Sequence, residues 1–110
     1  MDIRIRQGEN FAWWDSLKYK QTGAPADLTG MTAYSQMRDI PKGKLVADGV
    51  CSIDAEQGTI VTTYGSEVTK DIPAGQYGFD VWLDLDGQRV DIDTVEITIL
   101  GAYTEIEEEA

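Results

Sequence analysis

Five aspartates gather in the last third of the chain, Asp80, Asp84, Asp86, Asp91 and Asp93, and carboxylates in such numbers could hold a calcium ion or, as a pair, cleave a glycoside. The run Asp84-Leu85-Asp86-Gly87 has part of a calcium loop, but Trp82 stands where a first ligand is needed, and Leu85 and Val90 belong to a hairpin that fans ligands apart. Carboxyl pairs arise by chance in any acidic domain, and a short chain has little room for a substrate cleft. The absence of histidine removes the commonest neutral-pH base, the commonest metal ligand and every imidazole triad. Cys51 is the single cysteine, which rules out an intrachain disulfide, a thiolate cluster and a CxxC pair. It lies beside Val50, far from any basic residue, and reads as a half-buried, unreactive thiol. The sequence therefore predicts no catalytic, metal or cofactor-binding residue, and a protein that is not an enzyme.

A contact surface is the better use of these residues. Trp82 alternates with Asp80 and Asp84 on one strand, and a two-residue turn at Asp86-Gly87 pairs that strand with the next. The register then sets Asp84 opposite Arg89, Trp82 opposite Asp91 and Asp80 opposite Asp93 on an outer face, with Leu83 opposite Val90 and Val81 opposite Ile92 inside. Like charges at Asp80 and Asp93 call for a cation, from neighbouring strands or from a basic partner, and an indole flanked by acids is a natural anchor for one. Trp13 and Trp14 point to opposite sides of a strand; Trp13 is expected inside and Trp14 at an interface or under a loop. Trp82, Asp80, Asp93, Asp91 and Trp14 are thus the interface candidates. Exposed indoles beside acids also suit a sugar, so a surface glycan is the rival ligand.

The elements that position these residues follow from a period of two. The 110 residues suffice for one domain, and apolar positions alternate between Gly, Pro, Asn and Asp clusters. Strands are expected near residues 3–7, 10–20, 32–38, 44–47, 59–64, 76–85 and 88–100. Seven antiparallel strands in so short a chain predict an all-β, immunoglobulin-like sandwich over residues 1–102, a small barrel being the alternative, with an acidic tail at 103–110. Beyond Ile92 the apolar parity changes, which predicts a β-bulge at Thr94-Val95. Asp15 shares the inward parity of Phe11, Trp13 and Leu17, so that strand should bulge unless the carboxylate finds a buried donor. Ser66, Val68, Thr69 and Ile72 read as one helical turn ended by Pro73. Ile3-Arg4-Ile5-Arg6 is an edge strand, able to close its own sandwich or to join a neighbour's sheet. With a net charge of -11 the chain repels phosphate backbones and anionic lipid, so neither nucleic acid nor membrane is expected as a partner. No apolar run is long enough to span a bilayer, and the alternating N-terminus is unlike a signal peptide, which predicts synthesis in a cytoplasm.

One family shares this order of signals. Gly8-Glu9-Asn10-Phe11 opens a strand ending in Leu17-Lys18-Tyr19-Lys20, followed by the segment Gly23 to Gly30 and then Ala33 to Arg38. Gly58-Thr59-Ile60, Ile72-Pro73-Ala74-Gly75-Gln76-Tyr77 and Phe79-Asp80-Val81 come later. In these pieces, over roughly residues 5 to 100, the chain resembles the Ig-like domain of tailed-phage baseplate and tail proteins, the type at the N-terminus of baseplate upper proteins and in short prophage virion proteins. The resemblance implies a virion structural or adaptor module with no enzymatic site, whose partners are other virion proteins and copies of itself. Members of that class often carry a stalk or receptor-binding domain after this module. A capsid decoration protein and a carbohydrate-binding module that aids attachment to a host surface are the alternatives.

Overall fold

A computed structural model describes residues 3–101, so the acidic segment 103–110 lies outside the described residues. The strands are β1 (Ile3–Arg6), β2 (Phe11–Ser16), β3 (Thr32–Asp39), β4 (Leu45–Asp48), β5 (Val50–Asp54), β6 (Thr59–Tyr64), β7 (Gly75–Leu85) and β8 (Gln88–Leu100), with a single helical turn α1 (Ser66–Thr69) between β6 and β7. They form two layers, a large sheet in the order β1-β8-β7-β3-β4 and a small one in the order β2-β6-β5. This is the all-β sandwich expected from the alternation. β2, β6 and β5 take the places of the B, E and D strands of an immunoglobulin-like domain, and β3, β7 and β8 those of C, F and G.

The core is built by the inward residues of both layers. Met37 from β3, Ile60 and Tyr64 from β6, and Phe79 and Val81 from β7 are wholly excluded from solvent. The Phe79 ring meets Phe11 at 5.5 Å and Trp13 at 6.0 Å edge-on, and Tyr64 at 5.7 Å, so a single side chain links the layers through three aromatic contacts. Tyr64 would bring a buried hydroxyl into this core at a cost, and Ser35 offsets it with a hydrogen bond of 2.7 Å. At the crossing from α1 into β7, the Tyr77 hydroxyl donates to the Pro73 carbonyl at 2.6 Å, the backward-reaching tyrosine found at this corner of immunoglobulin-like sandwiches. Leu28, from the segment between Gly23 and Gly30, is buried in the same core, and its N–H donates to the Ala55 carbonyl at 3.2 Å.

Four local expectations are corrected. β1 is parallel to β8, with Ile3 opposite Ile97 and Arg6 opposite Leu100, so it completes its own sheet and one pair is not antiparallel. β5 was not expected, because Gly49 and the short, mixed run after it hide a strand that begins one residue beyond β4. β2 ends at Ser16; beyond it the chain turns to pair Lys18 with Pro25. β2 also pairs with β6 residue for residue and does not bulge, so Asp15 does point inward. The helical turn and the Asp86-Gly87 turn are where the residues placed them; Asp86 and Gly87 both have positive φ, as a type I′ turn demands.

Candidate functional site

The irregularity in β8 decides which acids share a face. Asp84 pairs with Arg89, Leu83 with Val90 and Trp82 with Asp91 as the turn dictates, but Val81 pairs with Asp93, leaving Ile92 as the extra residue. The bulge therefore lies two positions before Thr94-Val95. Moving it overturns two pairs: Asp80 stands opposite Thr94, whose hydroxyl donates to it at 3.1 Å, and Asp93 is turned to the other side of the sheet. Leu83 is buried as expected, whereas Val90 is half exposed. β7 and β8 run to 11 and 13 residues against five or six in the small sheet, and the hairpin tip outreaches the layer that would cover it.

On the outer face of the large sheet, Tyr34 of β3 lies opposite Trp82 of β7 and stacks on it, 5.7 Å between centroids and 24° between planes. The Arg89 guanidinium sits 4.0 Å from the centre of the Trp82 ring, donates to Asp91 at 2.7 Å and approaches Asp80 at 3.8 Å. The cation that the acids call for is thus supplied by the chain itself. Trp82 is half-buried in this cluster, and Tyr34 is its more exposed aromatic surface. The structure brings Trp82, Asp80 and Asp91 together, removes Asp93, and adds Tyr34 and Arg89. Tyr34 could not be found from the hairpin alone, since only the long-range pairing of β3 with β7 sets it beside Trp82. Arg89 was visible as the partner of Asp84, but its reach along the strand to Asp91 and Asp80 was not.

Asp93 belongs to a different group, where the two layers meet. The Trp13 indole N–H is shared between Asp15 of β2 at 3.3 Å and Asp93 of β8 at 3.2 Å. Trp13 is the donor that lets Asp15 face inward without a bulge. The other Asp15 oxygen, Oδ2, is shielded from solvent without a hydrogen bond, and a proton shared with Asp93 would satisfy it. Burial, then the neighbouring Asp93 carboxyl, push the Asp15 carboxyl up to about 6 from an ordinary 3.8, against the lowering effect of the Trp13 bond. A raised folded-state value means that the native protein holds this proton more tightly than the unfolded chain does. Asp15 therefore adds stability that is complete below about pH 3.8 and is lost as the pH rises through about 6. Asp27 works in the opposite sense, since bonds from Thr29 lower its carboxyl and its contribution fades only in more acid solution. The expected result is that acidifying from pH 7.5 to 5.5 raises the melting temperature. The full two-unit rise would correspond to about 3 kcal/mol in a dry site, gained only on reaching about pH 3.8; between pH 7.5 and 5.5 only the upper part of the titration is crossed, and with solvent at the open side of the pair the gain is under about 1 kcal/mol. Asp15→Asn should melt higher than the parent at pH 7.5 and lose most of that pH dependence, which thermal melts across the range would check.

No protein-family model matches the chain, and no curated protein matches it. Among solved structures it is similar to the N-terminal domain of phage TP901-1 ORF48, with 13% sequence identity and a TM-score of 0.46 over 91% of this chain and 85% of that one.

Trp14 lies apart from both groups, on the outer face of the small sheet and 63% exposed. Among the described residues, neither an overlying loop nor the core covers it. Cys51, half-buried at 3.5 Å from the Thr62 hydroxyl, has its thiol pushed up by burial, away from the thiolate that reactivity needs.

Proposed function

We propose that this chain is a non-enzymatic structural or adaptor module of a tailed-phage particle, located in the virion and working through contacts of its outer faces with other virion proteins and with copies of itself. The supporting observation is where the large side chains stand. The space between the layers is filled by Met37, Ile60, Tyr64, Phe79 and Val81, while Tyr34 stacked on Trp82, and Trp14 on the opposite layer, present aromatic surface outward. Packed interiors with aromatic outer faces serve binding between surfaces. The order of glycine, proline and aromatic signals from Gly8 to Val81 supplies the phage assignment.

The acidic cluster on the large sheet fits a basic partner. Arg89 satisfies part of Asp91 and Asp80, and a partner's Lys or Arg would meet the remaining carboxylate oxygens beside a flat aromatic platform. Coexpression with the products of adjacent genes, followed by mass measurement of the purified complexes, tests the reading. A defined complex is expected, weakened at least tenfold in Trp82→Ala, which removes the centre of the stack. A chain that binds none of those products and is missing from purified particles would overturn it. Saturable sugar binding, lost in Trp82→Ala or Trp14→Ala, would point to the carbohydrate-binding alternative.

A further inference from the structure

β3 is longer than the strand beside it, and the difference leaves one aromatic ring uncovered on one side. All of β3, Thr32 to Asp39, pairs with β7, but on its other side β4 pairs only with Gln36, Met37 and Arg38. The chain leaves that edge at Gly49, whose N–H still bonds the Ser35 carbonyl at 2.9 Å, and passes into the small sheet as β5. Among the described residues, no strand stands beside Tyr34 on the β4 side. Trp82 covers one face of the Tyr34 ring, and the residue remains 45% exposed. A guanidinium, an indole and a phenol thus stack side by side across the large sheet, and the next place is open to solvent.

The charge around that place is negative. Asp48, opposite Gln36 at the end of β4, is diagonal to Tyr34 on the open side. It is exposed, accepts from the Gln36 side-chain amide at a long 3.3 Å, and pairs with no cation among the described residues. Asp80 and Asp84 of β7, opposite Gln36 and Thr32, flank the ring on its other side. The nearest cations in the sheet are committed: Arg89 to Asp91 and Asp80, Arg38 to the Gly43 carbonyl and the Gln36 side-chain oxygen.

We propose that the open side of Tyr34 is a seat for an arginine side chain of a partner protein, stacked flat on the ring with its N–H edge toward Asp48. The chain itself supplies the pattern. Arg89 lies 4.0 Å from the centre of the Trp82 ring and donates to Asp91 at 2.7 Å, so a ring with a carboxylate near it already holds one guanidinium on this surface. One strand over, Tyr34 and Asp48 offer the same two parts. Arginine suits the seat better than lysine, because a planar guanidinium covers a ring face and still presents donors along its edge, whereas an ammonium is a compact, strongly hydrated charge. The proposal rests on the reading of the large sheet as the surface for a basic partner, and it narrows that partner to one whose contact residue is arginine. A lone exposed seat binds weakly, with a dissociation constant on the order of 1 to 10 mM for a single side chain, and gains strength only within a larger contact.

Titration of the isotope-labelled full chain with the blocked tripeptides Gly-Arg-Gly and Gly-Lys-Gly, followed by nuclear magnetic resonance at the Tyr34 and Asp48 amides and the Trp82 indole, provides the test. The arginine peptide should shift these signals saturably and bind at least threefold more tightly than the lysine peptide. Tyr34→Ala should weaken its binding at least fivefold, while Tyr34→Phe, which keeps the ring, should match the parent. Asp48→Asn should weaken it at least threefold and reduce its sensitivity to salt. Both residues are exposed, and a circular dichroism melt would verify that the variants fold. Trp14→Ala, on the opposite layer, should change nothing. Diffuse attraction of cations to an acidic protein would give equal affinities for the two peptides and indifference to Tyr34→Ala; either result overturns the proposal, as does loss of binding in Tyr34→Phe. A chain that assembles with its genomic neighbours yet shows no preference for arginine would defeat this seat alone and leave the virion reading standing. Arginine binding by a chain missing from particles would do the reverse.

Discussion

Gly58→Ala should lower the melting temperature by about 15 to 30 °C, the combined result of two separable costs. Gly58 has φ +66°, where an alanine is strained by about 1–2 kcal/mol. A Cβ added there would also lie 2.6 Å from the Leu17 carbonyl oxygen and 2.8 and 2.9 Å from Ala26 backbone atoms. Backbone cannot swing aside as a flexible side chain can. The bonds from Leu17 N–H to the Gly58 carbonyl, 2.8 Å, and from Ala26 N–H to the Leu17 carbonyl, 2.9 Å, would have to open, at about 1 kcal/mol each. The sum is on the order of 3–4 kcal/mol, a large part of the stability of a domain this size. Gly87→Ala separates the two costs, since Gly87 has φ +85° with nothing near its missing Cβ and should lose only the conformational share. Thermal or urea unfolding of both variants checks this, and equal losses would show that crowding at Gly58 contributes nothing.

Phe79→Ala should be comparably severe. The ring is wholly buried among Phe11, Trp13 and Tyr64, and its removal forfeits transfer energy and leaves a cavity between the layers, about 3–5 kcal/mol together. Phe79→Leu, which keeps most of the volume, should lose less than half as much. The loss should also appear in near-ultraviolet dichroism, because Trp13 leans on the same ring. A melting temperature within about 5 °C of the parent would show that Phe79 does not join the sheets as its contacts imply.

Gly58 and the β7–β8 hairpin show how unevenly the fold could be read from residues alone. The hairpin was legible because Asp86-Gly87 fixes a register locally and the alternation on either side agrees with it for three pairs. The position of the bulge was not, since a parity change between Ile92 and Val95 fits an extra residue at several places, and only the opposing strand and the second layer choose among them. Their choice sends Asp93 inward to share the Trp13 N–H, so the candidate surface lost one acid through a shift of two residues. β2 went wrong for a related reason: an inward carboxylate looks expensive until Trp13, two residues away on the same face, is seen to satisfy it. Tyr34 was missed because a strand's neighbours in a sandwich lie dozens of residues away in sequence. Trp14 was placed outward by alternation alone, and its surroundings became visible only when β5 and β6 supplied Val50 and Val61 beside it.

The sidedness of the sandwich has a consequence for any larger structure it enters. A cationic neighbour drawn to the carboxylates of Asp80, Asp84 and Asp91 approaches from the side of the large sheet, so the domain would be seated there in one fixed orientation. Neutralising that layer would cost the orientation as well as the grip.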